Sequence, residues 1–358
     1  MGISKKTILV SLSCFALAIF LASCSKNVSL TRLMPAEIPV PNHVQRLLLV
    51  DRTLPESQGV SIVEGILSGE APFEVRNAID ATMATIQQEL STSPRYEIIR
   101  ATERLKGGLF GQVFPKPLSW EQIEYLCEKY QADGVLTLEK FDSDFVITEK
   151  KITIKKEVGS GKDARIIEVP GILTEGLASV QAGFRLYDPL TGTLVDQADF
   201  GTNNVWTAEA ETRTQALALL IDKSLATREV GQMAGASYAR RVAPMYVAIR
   251  RNYYGKPKDH PALSQGARHA EVDQWEEAIV AWENGLSSVS DPKIQGKFCF
   301  NLALAHEVLG DLTTAKSWAG RAYTQFGFKK GRTYARELEQ RMMEEELLRE
   351  QLALPTPN

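Results

Sequence analysis

Few side chains in this sequence stand where they could do covalent chemistry, and the first is a thiol. Cys24 closes the tetrapeptide Leu21-Ala22-Ser23-Cys24. Small residues at 22 and 23 let an extended chain lie in a peptidase groove, and the Cys24 sulfur is a nucleophile that can be alkylated. Cys127 and Cys299 instead sit on apolar helical stripes, Ile123-Cys127-Tyr130 and Cys299-Leu302-His306, which reads as burial of small hydrophobic side chains. Cys14 lies within an apolar N-terminal run. The histidines, His43, His260, His269 and His306, show neither His-x-x-x-His nor His-Glu-x-x-His spacing, so no metal is expected. Asp188 and Asp199 would be a metal pair only if the turn Asp188-Pro189-Leu190-Thr191-Gly192 did not already account for Asp188. Gly159-Ser160-Gly161-Lys162 lacks the strand and the Ser/Thr of a phosphate loop, and no Gly-x-Ser-x-Gly elbow occurs. Arg250-Arg251-Asn252-Tyr253-Tyr254 mixes cations and rings, a composition that suits anions or single-stranded nucleic acid. No catalytic residue and no cofactor is expected.

The thiol has an address around it. Lys5 and Lys6 precede an apolar run over residues 7–22, shorter than the ~20 residues that span a bilayer as a helix. The basic start, the short run and Leu21, Ala22, Ser23 and Cys24 together resemble the signal peptide and lipobox of bacterial lipoproteins. The resemblance implies cleavage before Cys24 (residues 1–23 removed), a diacylglycerol thioether and an acylated amine on Cys24, and stable anchoring by two or three chains. Ser25 after the lipidated cysteine implies the outer membrane, since an Asp there would favour inner-membrane retention. Lys26 and Asn27 lack an acidic surface-export tag, so the body is expected to face the periplasm. With 41 basic against 44 acidic residues, the chain carries no global field for nucleic acid. The Arg250–Tyr254 cluster is therefore expected to be a surface face or an interdomain contact.

The elements read as an α/β domain (a mixed sheet with flanking helices) over residues 43–255, after a lipidated tether at 24–42 with little structure. His43–Val50 is a strand apolar on both faces; Val75, Ala78, Ile79, Met83, Ile86 and Leu90 repeat at helical steps. Tyr96–Arg100 is a second strand, and Ser119 with Gln122 forms a capping box for a helix over 120–130. Ala132-Asp133-Gly134 turns into a third strand. Ser179–Tyr187 and Thr193–Phe200 alternate as a hairpin, helices cover 210–225 and 230–242, and 243–250 is a closing strand. The strand Arg95-Tyr96-Glu97-Ile98-Ile99, the Ala132-Asp133 entry and the Asp-x-x-Thr-Gly hairpin resemble the TolB amino-terminal domain and the related curli-secretion-channel lipoproteins. In the channel family, a segment placed like Phe141–Ile172 forms membrane hairpins. Here Glu149–Glu157 puts charge on both faces, where a barrel strand keeps one face apolar for ~9–11 residues. A charged hairpin with a Gly159-Ser160-Gly161 tip is expected instead.

The C-terminal third is read as an all-α module. Gly266, His269, Trp275, Ala278, Trp282 and Gly285 are ordered as in a tetratricopeptide repeat, and Ala303, His306, Leu312, Ala315, Ala319 and Ala322 take the same places 37 positions later, with Gly310 in the link. The consensus period is about 34 residues. This resemblance places repeats at 258–328, and Lys329–Leu354 reads as a capping helix within a C-terminal segment, 329–358. The whole resembles repeat-containing lipoproteins of Bacteroidetes with no assigned activity. The implied role is protein binding in the cell envelope, with a partner on the concave repeat surface; oligomeric state is open. A secretion channel or its accessory subunit, and an envelope enzyme without a local motif, are the rival readings.

Overall fold

The computed structural model describes residues 25–55, 72–109, 113–256 and 259–353. Leu21, Ala22, Ser23 and Cys24 lie outside them. The chain folds as two compact units. Of the described residues, one holds those within Leu33–Tyr246 and 348–353; the other holds those within Val247–Leu347 and 25–32.

The first unit is a mixed α/β layer. Strand β2 (Arg46–Pro55) is flanked by β3 (Glu97–Leu109) and β4 (Gly134–Val158), both parallel to it. From β4 the sheet continues antiparallel through β5 (Arg165–Asp188) and β6 (Thr193–Ala210). Leu47, Leu48, Leu49 and Val50 are wholly buried because helices cover both faces. On one face lie α1 (Pro72–Thr92) and, beyond the short α3 (Arg213–Leu219), α4 (Lys223–Val242). Gly231 and Gly235 let α4 approach α1 so closely that an added Cβ would strike Thr82. On the other face α2 (Trp120–Tyr130) packs Ile123, Leu126 and Cys127 against Leu48, Val50, Val135 and Tyr187. The capping box of Ser119 and Gln122 is formed. Asp133 accepts the backbone N–H groups of Gln45 and Arg46, joining the entry of β4 to the start of β2. Beyond α2 the same face buries a carboxylate. Glu139 is fully enclosed with Arg52 at 2.5 Å, Arg185 at 3.4 Å, the Tyr187 hydroxyl at 3.0 Å and the Thr137 hydroxyl at 2.7 Å.

Strands β4 and β5 stay paired from Val135 with Tyr187 out to Val158 with Arg165, joined by a 3-10 turn at Gly161–Asp163. Their outer half, including Glu149–Glu157, is mostly exposed. The expected single helix over 210–225 is instead the end of β6, then α3, then a restart of α4 capped by Asp222, whose carboxylate accepts the Ser224 and Leu225 N–H groups.

Among its described residues the second unit contains five helices: α5 (Pro261–Ala270), α6 (Trp275–Ser288), α7 (Pro292–Val308), α8 (Leu312–Thr324) and α9 (Lys329–Leu352), whose last turn belongs to the first unit. Consecutive members of α5 to α8 pack on one another. The α5–α6 and α7–α8 turns are built alike. Gln274 N–H donates to His269 O and Asp311 N–H to His306 O, at 3.0 and 2.9 Å. Asp273 and Gly310, also 37 apart, are both left-handed, with φ of 59° and 84°. The two histidines brace these turns: His269 Nδ1 lies 2.8 Å from Gln274 Oε1, and His306 Nδ1 lies 3.9 Å from Asp311 Oδ2. Gly266 leaves room for the buried Trp282 indole, which fills the space beside α5 and donates to Leu263 O.

Two further expectations are corrected. The segment read as a loose tether begins as strand β1 (Ser25–Met34), with Val28 and Leu30 turned onto the helical core and Asn27, Ser29 and Thr31 exposed. The closing strand, β7 (Met245–Tyr254), pairs with β1 rather than joining the five-stranded sheet. Two apolar residues are too faint a pattern to reveal a strand whose partner lies over two hundred positions away.

Candidate functional site

The helical unit carries β7 against α7 and α9. The Asn301 side chain on α7 is fully buried and acts as a short strand mimic. Its Oδ1 accepts the Tyr254 N–H at 2.9 Å, and its Nδ2 donates to the Tyr254 carbonyl at 2.7 Å. Tyr253 turns inward onto Trp275 and Trp282, with ring centroids 6.2 and 6.3 Å away. Tyr254 meets Phe300 and Phe328 edge-on. Nearly two turns beyond Asn301, Glu307 is buried with both oxygens engaged. Arg251 reaches it at 3.0 and 3.2 Å, Arg341 of α9 at 3.0 Å and the Tyr334 hydroxyl at 2.5 Å. Burial, then the Glu307 charge, pushes the Tyr334 phenol well above its usual range, so it stays a hydrogen-bond donor. Arg251 also pairs with Glu337 at 2.6 Å and lies over the Tyr334 ring.

Beside this junction is a cavity of about 300 Å³, bordered by five consecutive β7 residues, Arg250–Tyr254, and by Phe300 and one face of α9. Phe300, Tyr254 and Tyr334 make an aromatic wall. Arg250, Arg251 and Lys330 supply three positive charges against the single carboxylate of Glu337. Among the described residues, Arg250, Asn252 and Thr333 make no side-chain hydrogen bond or ion pair, and Lys330 only stacks on Tyr254. An amphipathic wall with uncommitted donors suits an anionic group attached to an apolar body.

The structure places the other singled-out residues elsewhere. Trp275, Ala278, Trp282, Ala303, Ala315 and Ala322 are buried in the helical core, Gly266 lies against Trp282, and Gly310 occupies the second turn. Cys127 and Cys299 are free and buried, and burial pushes both thiols up to about 11, far from nucleophilic use. Asp188 accepts the Leu190 and Thr191 N–H groups and the Thr191 hydroxyl, and lies 3.0 Å from His43 Nε2, so the turn consumes it. Asp199 pairs with the buried Lys140 at 2.6 Å. The basic-aromatic run at 250–254 was visible in sequence. Its partners Asn301, Glu307, Tyr334 and Arg341 were not, though a lone Asn and Glu on the apolar stripe of α7 were a readable signal of buried polar work.

Two family models match the chain. One is described as Domain of unknown function (DUF8603) and covers residues 44–254, more than half of the chain; the other, Domain of unknown function (DUF6340), covers 264–345. No curated protein matches. Similar solved structures include the PelC dodecamer from Paraburkholderia phytofirmans, at 11% identity over 61% of this chain and 99% of that one, with a TM-score of 0.25. A neuraminyllactose-binding hemagglutinin homolog from Helicobacter pylori gives 12% identity over 56% and 82%, with a TM-score of 0.23. A structure described as a lipoprotein from Caulobacter crescentus CB15 gives 16% over 34% and 72%, with a TM-score of 0.14. Scores this low transfer nothing to this chain.

Proposed function

Because this chain belongs to the DUF8603 family, whose function is unknown, we propose its role from its own geometry: a lipid-anchored cell-envelope protein whose helical unit binds a protein partner. The observation that carries this reading is the cavity beside β7, where uncommitted Arg250, Asn252, Lys330 and Thr333 side chains border an aromatic wall. The matched turns of the two helix pairs support a tetratricopeptide-like scaffold, a fold element that presents surfaces. The inner side of α7 already carries β7, so the partner is assigned to the cavity beside that strand rather than to a bare helical groove. Leu21-Ala22-Ser23-Cys24 supports lipidation at Cys24, and Ser25-Lys26-Asn27 supports an outer-membrane position facing the periplasm. Mass spectrometry should show acylated Cys24, and Cys24→Ala should leave precursor or soluble protein; an unmodified Cys24 sinks the localisation.

The secretion-channel reading meets the outer β4–β5 hairpin, where Glu149 is tied to Arg213 and Lys156 to Glu211 and charge lies on both faces. The acylated protein in planar bilayers is expected to give no discrete conductance; stepwise currents lost on deleting residues 146–172 would restore the channel. Binding itself is tested by site-specific photo-crosslinking in cells, with the reactive side chain placed at Thr333 and, separately, at Glu277 on α6. Absence of any crosslinked protein from both positions would end the binding proposal.

A further inference from the structure

We infer that the cavity beside β7 receives an extended acidic segment of the partner, which adds a third strand to the β1–β7 sheet. The inference rests on the protein-binding reading above. Among the described residues, strand β7 has one partner strand, β1. In such a pair the N–H and C=O groups of alternate residues point away from the neighbour and stay open. The structure identifies which residues these are. Asn301 takes both backbone groups of Tyr254, so those groups face away from β1. By alternation, the backbone groups of Asn252 and Arg250 face the same way, and both residues border the cavity. Asn301 thus closes the last position of an edge whose next two positions are unfilled. Outside the β1–β7 pair, no backbone group among the described residues bonds to residues 250 or 252.

The walls define the occupant. Main-chain pairing supplies affinity without regard to sequence, and alternate side chains of the incoming strand meet the pocket. One set would lie on Phe300 and Tyr334. The carboxylates would meet Arg250 and Lys330, whose charges nothing else among the described residues neutralises. Glu337 is held by Arg251, which leaves the rim positive. A basic segment would face these cations unpaired, and a strand without charge would leave them unused.

The test uses the full-length chain in detergent and a labelled, end-blocked hexapeptide, Glu-Val-Glu-Phe-Glu-Val. Its lysine counterpart and two versions N-methylated on alternate residues, one for each strand edge, complete the set. The acidic peptide is expected to bind at least about tenfold more tightly than the lysine peptide, a step of about 1.4 kcal/mol. N-methylation of one edge should abolish binding while the other edge tolerates it. Arg250→Glu combined with Lys330→Glu should reverse the charge preference. Equal binding of the acidic and lysine peptides, or indifference to N-methylation, each overturns the inference. The crosslinking positions separate its failure from that of the wider reading. Crosslinks at Glu277 alone leave a binding protein but remove the strand-addition site, and a Thr333 crosslink to another copy of this chain replaces the acidic partner with self-association.

Discussion

Glu139 and Glu307 are the same chemical solution used for two purposes. Each is a wholly buried carboxylate held by two arginines and a tyrosine hydroxyl. Around Glu139 the partners come from β2 and β5, neighbours of β4 in one sheet, and Phe114 and the Pro115 carbonyl close over Arg185. Its arginines are 10% and 4% exposed. Around Glu307 the partners come from β7 and α9, two elements held to α7 only by side chains, and the arginines are 22% and 15% exposed. The first cluster finishes the interior of a sheet. The second fastens a strand to helices and keeps one of its cations at the edge of a cavity. Burial of an ion pair is a poor stabiliser in itself, but breaking one strands the remaining charges. The comparison therefore turns on what each cluster's loss would release.

The largest effect is expected at Glu139→Ala, which leaves two buried guanidiniums unpaired and should cost about 3–5 kcal/mol, read as a lowered denaturation midpoint of the α/β unit. Glu307→Ala should cost about 3 kcal/mol, the low end of that range, because water reaches its arginines. Its signature is local: faster amide exchange in residues 249–254 with the β2–β4 core unchanged. Equal protection losses in both regions would remove the distinction. Asn301→Ala removes the two bonds to Tyr254 and should cost about 1–3 kcal/mol, with the Tyr254 amide the first to exchange. A third buried carboxylate sets the lower end of the scale. Burial opposes the charge on Asp188, but the bonds from Thr191 and then the neighbouring His43 outweigh it and lower its pKa. Its stabilisation is thus present above the ordinary carboxylate range, near pH ~3.9, and is lost as pH falls through the lower folded value. Thr191→Val should lower the melting temperature at neutral pH and so shrink the further loss on acidification, leaving stability below the folded pKa little changed.

What could be read beforehand follows from how local each signal is. The helix pairs were legible because Ala278 and Ala315, and His269 and His306, repeat at a fixed offset, so each unit carries its own pattern. The capping box at Ser119 and the turn at Asp188 are complete within four residues. The cavity was not legible as a site. Arg251 meets Glu307 across 56 positions and Glu337 across 86, and spacing along a chain says nothing about such pairs. Strand β1 failed for the same reason, since the surface that makes Val28 and Leu30 inward residues is supplied by helices far downstream.

The early start of β1 also fixes how the molecule would carry load. Lys26 is ion-paired to Glu271, and an added Cβ on Gly255 would crowd its side chain, so the second residue after Cys24 is already seated in the helical unit. Two residues reach at most ~7 Å. If Cys24 carries the proposed acyl chains, the line between membrane and protein would have no slack. Tension at such an anchor would enter β1 end-on and be borne by its seam with β7, and through β7 by the Asn301 and Glu307 fastenings. The strand that borders the cavity would then also be the strand that feels the membrane.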